Sequence, residues 1–383
     1  MKYDSALRAY TVKRIEEIES ADILVGIPCN YNENTVKHVI QMVTHGLSKH
    51  NSDKRCVIFV ADGGSTDDTR EVVKEFEIKP WQEKIVSIYR GPAGKGAAFR
   101  SIFEAAKRLK VEACMVVDSD LRSITNEWVK YLLEPVLEAG YQYVSPVYSR
   151  YKYDGTITNN IVYNLTRALY GLRIRQPIGG DFAFAGDLAA YYMDQDVWDT
   201  DVARFGIDIW MTTNAITNNF KICQSNLGAK VHDAKDPAES LGPMFRQFKG
   251  FYRDIFCPEC FEELKRCAAK AKTKFVMPLK TWVMVLYEIA ATFHHWKYNR
   301  TQLVNLVTPL YLGRVASFMN QTRKMNSNEA EELVEEQAQV FEEHKDYLTR
   351  AWNLPVRKQL YGPPSSPTFA FPALLWTSLF GLS

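Results

Sequence analysis

The sequence predicts an α/β protein with a mainly parallel sheet, followed by an all-helical region. Short, nearly continuous apolar runs alternate with helical patterns from residue 22 to 120, as in βαβ units whose strands are covered on both faces. Four of these runs end in, or lead to, clusters of polar residues and glycine. From about Pro237 onward only helical periodicity remains, apart from a proline-rich end.

Asp22 to Pro28 (DILVGIP) is the first strand, and Val36, Val39, Ile40 and Val43 give the next helix its apolar face. Cys56 to Ala61 is the second strand, ending in Asp62-Gly-Gly-Ser-Thr-Asp-Asp. A helix from Asp67 to Phe76 follows, with Ser65 or Thr66 as its expected cap. Ile85 to Tyr89 is the third strand, and Gly91-Pro-Ala-Gly-Lys-Gly leads into a helix from Ala97 to Leu109. Ala113 to Val117 is the fourth, ending in Asp118-Ser119-Asp120.

Beyond these, Tyr141 to Tyr148, Phe182 to Phe184 and Lys221 to Val231 read as strands, and Asn159 to Leu172 and Gly206 to Thr217 as helices. Helices are expected over Phe245 to Phe256, Pro258 to Lys272, Leu279 to Tyr298, Thr301 to Asn320 and Asn328 to Trp352. Within the last, Glu329 to Lys345 is so charged that it reads as a solvated or partner-facing face. Gly362-Pro-Pro-Ser-Ser-Pro and the apolar tail from Phe369 to Leu382 read as an irregular arm. The expected division is 1–236 for the α/β domain, 237–353 for the helical region, on the acceptor side or for oligomerisation, and 354–383 for the arm.

Composition narrows the class. With 46% hydrophobic and 24% charged residues the 383-residue chain is ordinary globular material. A net charge of +2 supplies no field for nucleic acid. No run reaches the ~18 apolar residues of a membrane span, and the start has no apolar core of a secretory signal. The odd number of cysteines, seven, suits a cytoplasmic protein with free thiols. Cys257-Pro-Glu-Cys260, with Cys267 nearby, lacks the further ligands of a zinc site and is expected to serve helix packing. The helical region's length and apolar content point to a homo-oligomer.

The strand ends carry the chemistry. In a parallel sheet they share one edge, so Tyr31-Asn32-Glu33, Asp62-Gly63-Gly64-Ser65, Gly94-Lys95-Gly96 and Asp118-Ser119-Asp120 should converge. Asp62 or Glu33 can accept from a base or ribose. Lys95 between two glycines lets backbone and ammonium approach a phosphate. The spacing is not that of a Walker loop, and no GxGxxG follows the first strand. Two carboxylates at a strand end can hold one hard divalent cation, Mg2+ or Mn2+, with positions left for phosphate oxygens.

Ile27-Pro28 through Asn32-Glu33, Asp62-Gly-Gly-Ser-Thr-Asp-Asp, Gly94-Lys-Gly and Asp118-Ser-Asp occur in the order of the GT-A glycosyltransferases related to family 2, which the chain resembles. Gln176-Pro-Ile-Gly-Gly-Asp181, Phe205-Gly-Ile-Asp-Ile209 and Leu227-Gly-Ala-Lys-Val-His232 look more narrowly like the retaining glucosyl-3-phosphoglycerate, glucosylglycerate and mannosylglycerate synthases. The likeness covers residues 20 to 240. It implies a GT-A, Rossmann-like fold and a metal-dependent hexosyltransferase using UDP-glucose, GDP-glucose or GDP-mannose. It assigns the nucleotide sugar to Pro28, Tyr31, Asn32, Glu33, Asp62, Ser65, Gly94, Lys95, Asp118, Ser119, Gly179 and Gly180. It assigns the metal to Asp120 and His232, and catalytic roles near the sugar to Asp181 and Asp208.

The acceptor stretch departs from that pattern. Where the phosphoglycerate enzymes have Gly-Gly-Arg-Val-Thr, this chain has Asp154-Gly155-Thr156-Ile157-Thr158. Losing a guanidinium should cost phosphate recognition. Gly155, Thr156 and Thr158 can still bind a carboxylate, so an unphosphorylated hydroxy acid such as D-glycerate is expected, making a glucosylglycerate of the compatible-solute kind. Arg150, Lys152 or Arg173 standing close to that stretch would reverse this expectation. The competing readings are 3-phosphoglycerate as acceptor, an inverting transferase acting on polyprenyl phosphate, a sugar-1-phosphate nucleotidyltransferase, and a non-catalytic sugar-nucleotide sensor. The nucleotidyltransferase would need a glycine-rich signature where Tyr31-Asn32-Glu33 stands.

Overall fold

The computed structural model describes residues 3–231, 256–269, 276–295 and 300–353. It opens with helix α1 (Ala9–Ile18), then strand β1 (Ile23–Cys29), helix α2 (Val36–His50), β2 (Cys56–Asp62), α3 (Thr69–Glu75), β3 (Gln82–Ile88), α4 (Lys95–Leu109) and β4 (Ala113–Val116). Next come α5 (Glu127–Leu137), β5 (Tyr143–Ser149), a π-helical turn over 158–162, α6 (Tyr163–Tyr170), β6 (Phe182–Ala185), α7 (Gly186–Met193), a 3-10 turn over 201–203, α8 (Ile207–Thr217) and β7 (Ile222–Ala229). The remainder is helical: α9 (Pro258–Ala269), α10 (Leu279–His295), α11 (Arg300–Thr322), α12 (Ser327–Glu343) and α13 (Lys345–Asn353).

The seven strands form one sheet in the order β3-β2-β1-β4-β6-β5-β7. β1 pairs in parallel with β2 and β4, β2 with β3, and β5 with β7, while β6 is antiparallel to both β4 and β5. Six strands therefore point the same way. The carboxyl ends of β1, β2, β4, β5 and β7 lie on the edge at which β6 begins. That geometry brings a residue just before β6 to the same place as residues just after the other strands.

The apolar runs behave as their composition requires. Every residue of β2 is buried, and six of seven in β1. One core holds Ile23, Val25 and Ile27 of β1 with Ile58, Val60, Met115, Val39, Val43, Trp128 and Leu132. On the other side α4 buries Ala98, Phe99, Ile102, Phe103, Ala105 and Ala106. β3, an edge strand, starts three residues before the expected Ile85 because Gln82, Glu83 and Lys84 pair with β2 regardless of polarity. Gln82 is buried, its amide donating to the Thr44 carbonyl at 3.2 Å.

Other elements correct the sequence reading. Neither Ser65 nor Thr66 caps α3: Asp68 stands at its N-cap with no side-chain bond, and Ser65 instead donates to Asp62. Helix α4 starts at Lys95, two residues before the expected Ala97, because Gly96 N–H finds the Arg204 carbonyl at 2.7 Å. The expected helix over residues 328–352 is two helices, α12 and α13, parted at His344. Its charged stretch is not simply a solvated face, since α12 buries Ala330, Val334, Gln337, Ala338 and Phe341. The expected helix over residues 245–256 lies outside the described residues but for Phe256, and the arm lies outside them entirely.

The described residues divide into two compact units, one with 3–149 and 175–231, the other with 150–174 and the helices after 256. The helical unit thus includes a segment that the division at 236 would have left with the sheet. The reason is packing. Tyr163 of α6 clusters with Phe318, Val334 and Ala338. Arg167 forms a fork on Glu342, at 2.9 and 3.0 Å, and reaches Glu335 at 2.7 Å. Trp282 donates its indole N–H to the Asn160 carbonyl at 2.7 Å. Among the described residues no helix is long and apolar enough to cross a membrane.

Candidate active site

Asp118 follows β4 and is the hub of a charged network. Its Oδ1 accepts from Lys95 Nζ at 2.7 Å and its Oδ2 from Lys230 Nζ at 3.2 Å. Lys230 also donates to Asp181 Oδ2 at 2.7 Å and to the Gly179 carbonyl at 2.9 Å, with its ammonium 4.9 Å from the Tyr148 ring centroid. Asp181 closes the ring: its Oδ1 accepts from the Asp118 N–H at 2.9 Å, and its Oδ2 takes the Tyr148 hydroxyl. Lys95 extends the network to Asp208 Oδ1 at 3.3 Å. The parts come from the ends of β4, β5 and β7, the start of β6 and the first turns of α4 and α8.

Burial decides the electrostatics. Lys230 and Asp181 are 6% and 0% exposed, so their contact at 2.7 Å is shielded from water. Burial alone would raise the Asp118 carboxyl, but the ammonium groups of Lys95 and Lys230 outweigh it and hold Asp118 well below the usual carboxylate range. Burial opposes the charge on Lys95 as well, and the carboxylates of Asp118 and Asp208 still lift it above the ordinary lysine value. Asp208 goes the other way, raised chiefly by burial and less by the Asp118 charge.

Glycine makes this closeness possible at one point. Gly180 has φ +88°, and a Cβ there would stand 2.2 Å from Asp118 Oδ2 and 3.1 Å from Lys230 Nζ. Gly94 and Gly96 serve a different approach: a Cβ on Gly96 would lie 1.8 Å from the Val202 carbonyl oxygen, and one on Gly94 2.5 Å from Arg204 Cα. The room around Lys95 that the sequence offered to a phosphate is taken, on the glycine side, by backbone 202–204.

The remaining expected residues fall into three groups. Asn32 joins the network's edge, its Oδ1 accepting from Ser119 Oγ at 2.8 Å. Asp62 is fully buried and closes its own turn, accepting from Gly64 N–H at 2.8 Å, Ser65 N–H at 3.0 Å and Ser65 Oγ at 2.6 Å. Ser65 Oγ in turn accepts from Tyr31 N–H at 2.9 Å, in a loop where Tyr31 has φ 59° and a 58% exposed side chain. Glu33 accepts from Asp68 N–H at 3.0 Å, and Pro28 sits within β1. Asp120 is exposed on the turn after β4. His232 lies outside the described residues.

Gly155, Thr156 and Thr158 belong to the helical unit. Thr156 Oγ1 and the Tyr311 hydroxyl are 2.7 Å apart, and Thr158 is buried in the π-helical turn. Lys152 is spent on the end of α11, donating to the carbonyls of Thr322 at 2.8 Å and Met325 at 2.7 Å. Arg150 lies beside Gly155, its Nη1 3.1 Å from where a Cβ on that glycine would stand.

Lys230 and Tyr148 are members of this network that sequence reasoning did not single out. A lysine at the end of a strand reads as a solvent-facing terminus. The signal was its place between Leu227-Gly228 and His232 in a motif already chosen for the histidine.

The divalent cation can be tested against this geometry. Asp118 has each of its oxygens on an ammonium group. The exposed Asp120 carboxylate suits Mg2+, which keeps several waters and takes one or two carboxylates beside substrate phosphates. Among the described residues no group of three His, Cys, Asp or Glu is assembled to cage a metal. The fit is to a cation that arrives with a diphosphate.

Residues 25–195 match the model of Glycosyl transferase family 2. Over that segment the chain is similar to family 2 glycosyltransferases, and its mostly parallel seven-stranded sheet with helices is of the Rossmann-like GT-A kind. Among solved structures the chain is similar to glucosyl-3-phosphoglycerate synthase from Mycobacterium tuberculosis in complex with phosphoglyceric acid, at 21% identity over 60% of this chain and 78% of that one, with a TM-score of 0.42. It is similar to the same synthase with Mn2+, uridine diphosphate and phosphoglyceric acid, at 23% identity over 62% and 81%, TM-score 0.42. A third structure of that synthase, with Mn2+ and UDP-glucose, has 22% identity over 62% and 82%, TM-score 0.41. Among curated proteins none matches the chain.

Proposed function

We propose that the chain is a retaining, metal-dependent hexosyltransferase that moves a hexose, glucose first among them, from a nucleotide diphosphate sugar to a small hydroxy acid. The observation that carries this is the Asp118–Lys95–Lys230–Asp181 network on the sheet edge of a domain similar to family 2 glycosyltransferases. Lys95 holds Asp118 from one side and Lys230 from the other, so the turn bearing Asp120 is fixed before any ligand arrives. Asp120, with His232, would hold Mg2+ or Mn2+, whose chemistry is to neutralise the diphosphate as leaving group. Asp181 has both oxygens committed to Asp118, Lys230 and Tyr148. That commitment speaks against Asp181 as a nucleophile and for retention by front-face attack.

Two observations divide the choice of acceptor. Thr156 in place of the arginine speaks for D-glycerate. The Arg150 guanidinium beside Gly155 favours a second reading, in which phosphate recognition is restored from a different position and 3-phosphoglycerate is taken. The test is product formation from UDP-glucose, GDP-glucose and GDP-mannose with Mg2+ or Mn2+, each offered both acceptors, with Asp120→Ala as control. Preferred transfer to glycerate, unchanged by Arg150→Ala, supports the first reading. Preference for 3-phosphoglycerate that Arg150→Ala abolishes supports the second. Binding of donor with no transfer to either acceptor would refute both.

A further inference from the structure

Cys257 occupies the N-cap of α9: its carbonyl accepts the helix's first bond, from Phe261 N–H at 2.9 Å. The side chain takes the capping position too, for Cys260 N–H points at Cys257 Sγ at 3.4 Å. Ser, Thr, Asp and Asn are the usual residues there, and a neutral sulfur is a poor acceptor in their place. An ionised sulfur is a good one, next to the orphan N–H groups and positive end of a helix. A second contact is independent of the helix. The Tyr347 hydroxyl lies 3.2 Å from Cys257 Sγ and also reaches Glu288 Oε1, a carboxylate that is 1% exposed. The three groups form a chain from thiol through phenol to buried carboxylate, all within the helical unit.

We propose that Cys257 and Cys260 form a reactive dithiol that exchanges with low-molecular-weight disulfides, Cys257 attacking and Cys260 resolving. The proton of Cys257 passes to the Tyr347 oxygen as the phenol's own proton passes to Glu288. The thiolate attacks one sulfur of the external disulfide, whose S–S bond breaks and whose other half leaves as a thiolate and takes up a proton. Cys260 then gives up its proton and attacks Cys257 Sγ, expelling the second external thiol. Two protein thiols are oxidised and one external disulfide is reduced to two thiols.

Spacing supports the pairing. Residues three apart at a helix start have Cα atoms about 5 Å apart, within the range a disulfide spans. Cys267, seven residues on from Cys260, is about 10 Å along the same helix and beyond it. Cys257 is half-buried and Cys260 buried, which suits attacker and resolver. Burial pushes the Cys260 thiol above the usual thiol range, as it does those of Cys29 and Cys56 in the sheet core, so what sets Cys260 apart is its place one helical turn from Cys257.

The test equilibrates the full-length native protein with oxidised and reduced glutathione, alkylates the remaining thiols, and maps cysteines by peptide mass. The expected product is a Cys257–Cys260 disulfide, with Cys29, Cys56 and Cys114 alkylated only after unfolding. Cys260→Ser should trap glutathione on Cys257, and Tyr347→Phe should slow alkylation of Cys257 about tenfold. The proposal is overturned if the wild-type peptide stays dithiol at full oxidation, or if Cys260→Ser carries no adduct. It is also overturned if Tyr347→Phe leaves the alkylation rate of Cys257 unchanged.

Discussion

Asp118 and Asp120 stand on one turn, yet their surroundings divide the work between them. Asp118 is clamped by two ammonium groups, while Asp120 is exposed. Lys230 is the cation on which the clamp depends. Lys230→Met should cost about 3 kcal/mol, because the fully buried Asp181 carboxyl would lose the ammonium that donates to it. The urea midpoint measures this, and a loss below about 0.5 kcal/mol would show that the network relaxes around the vacancy. Gly180→Ala should be worse for turnover than for folding. Its Cβ must push Asp118 aside from 2.2 Å, so transfer should fall about 100-fold while the melting transition stays cooperative. Transfer within a factor of about two of wild type would mean Asp118 is not held where it acts.

Elements were legible where local pattern suffices. The strands from 23 to 62 and the helix faces of α2 and α4 follow from apolar runs and their periods, and the structure puts them within a residue or two of the reading. Long-range partners were not legible. β6 is four residues long and runs against its neighbours between β4 and β5, and nothing in Phe-Ala-Phe-Ala specifies that slot. Its direction is what delivers Asp181 to the edge where Asp118 waits. The acid-rich face of α12 is largely exposed, as read, but the partner of its Glu335 and Glu342 was not legible: it is Arg167, far away in sequence. Arg167 is 4% exposed and its carboxylates more open, so Arg167→Ala should cost about 2 kcal/mol, read from the denaturant midpoint. An unchanged midpoint would mean that α6 and α12 hold together by apolar contact alone.

At the scale of the molecule, a cation held as proposed, by Asp120, His232 and the ligand's own phosphates, should be readily exchanged. Chelation should abolish sugar transfer, and added Mg2+ or Mn2+ should restore it. Asp120→Ala should lower turnover about 100-fold or more with little change in melting temperature, as befits an exposed side chain. Full activity in excess chelator would remove the metal from the proposal.

The sheet is interrupted after β5 by residues 150–174, which belong with helices made much later. Tyr163 waits for Glu335, 172 positions downstream. At about 5–20 residues per second on the ribosome, that interval is roughly 10 to 30 s. During it α6 hangs from a growing chain with the apolar side of Tyr163 and the guanidinium of Arg167 uncovered. Nascent-chain shelter is therefore built into this protein's requirements, and ending synthesis after β7 leaves that debt unpaid.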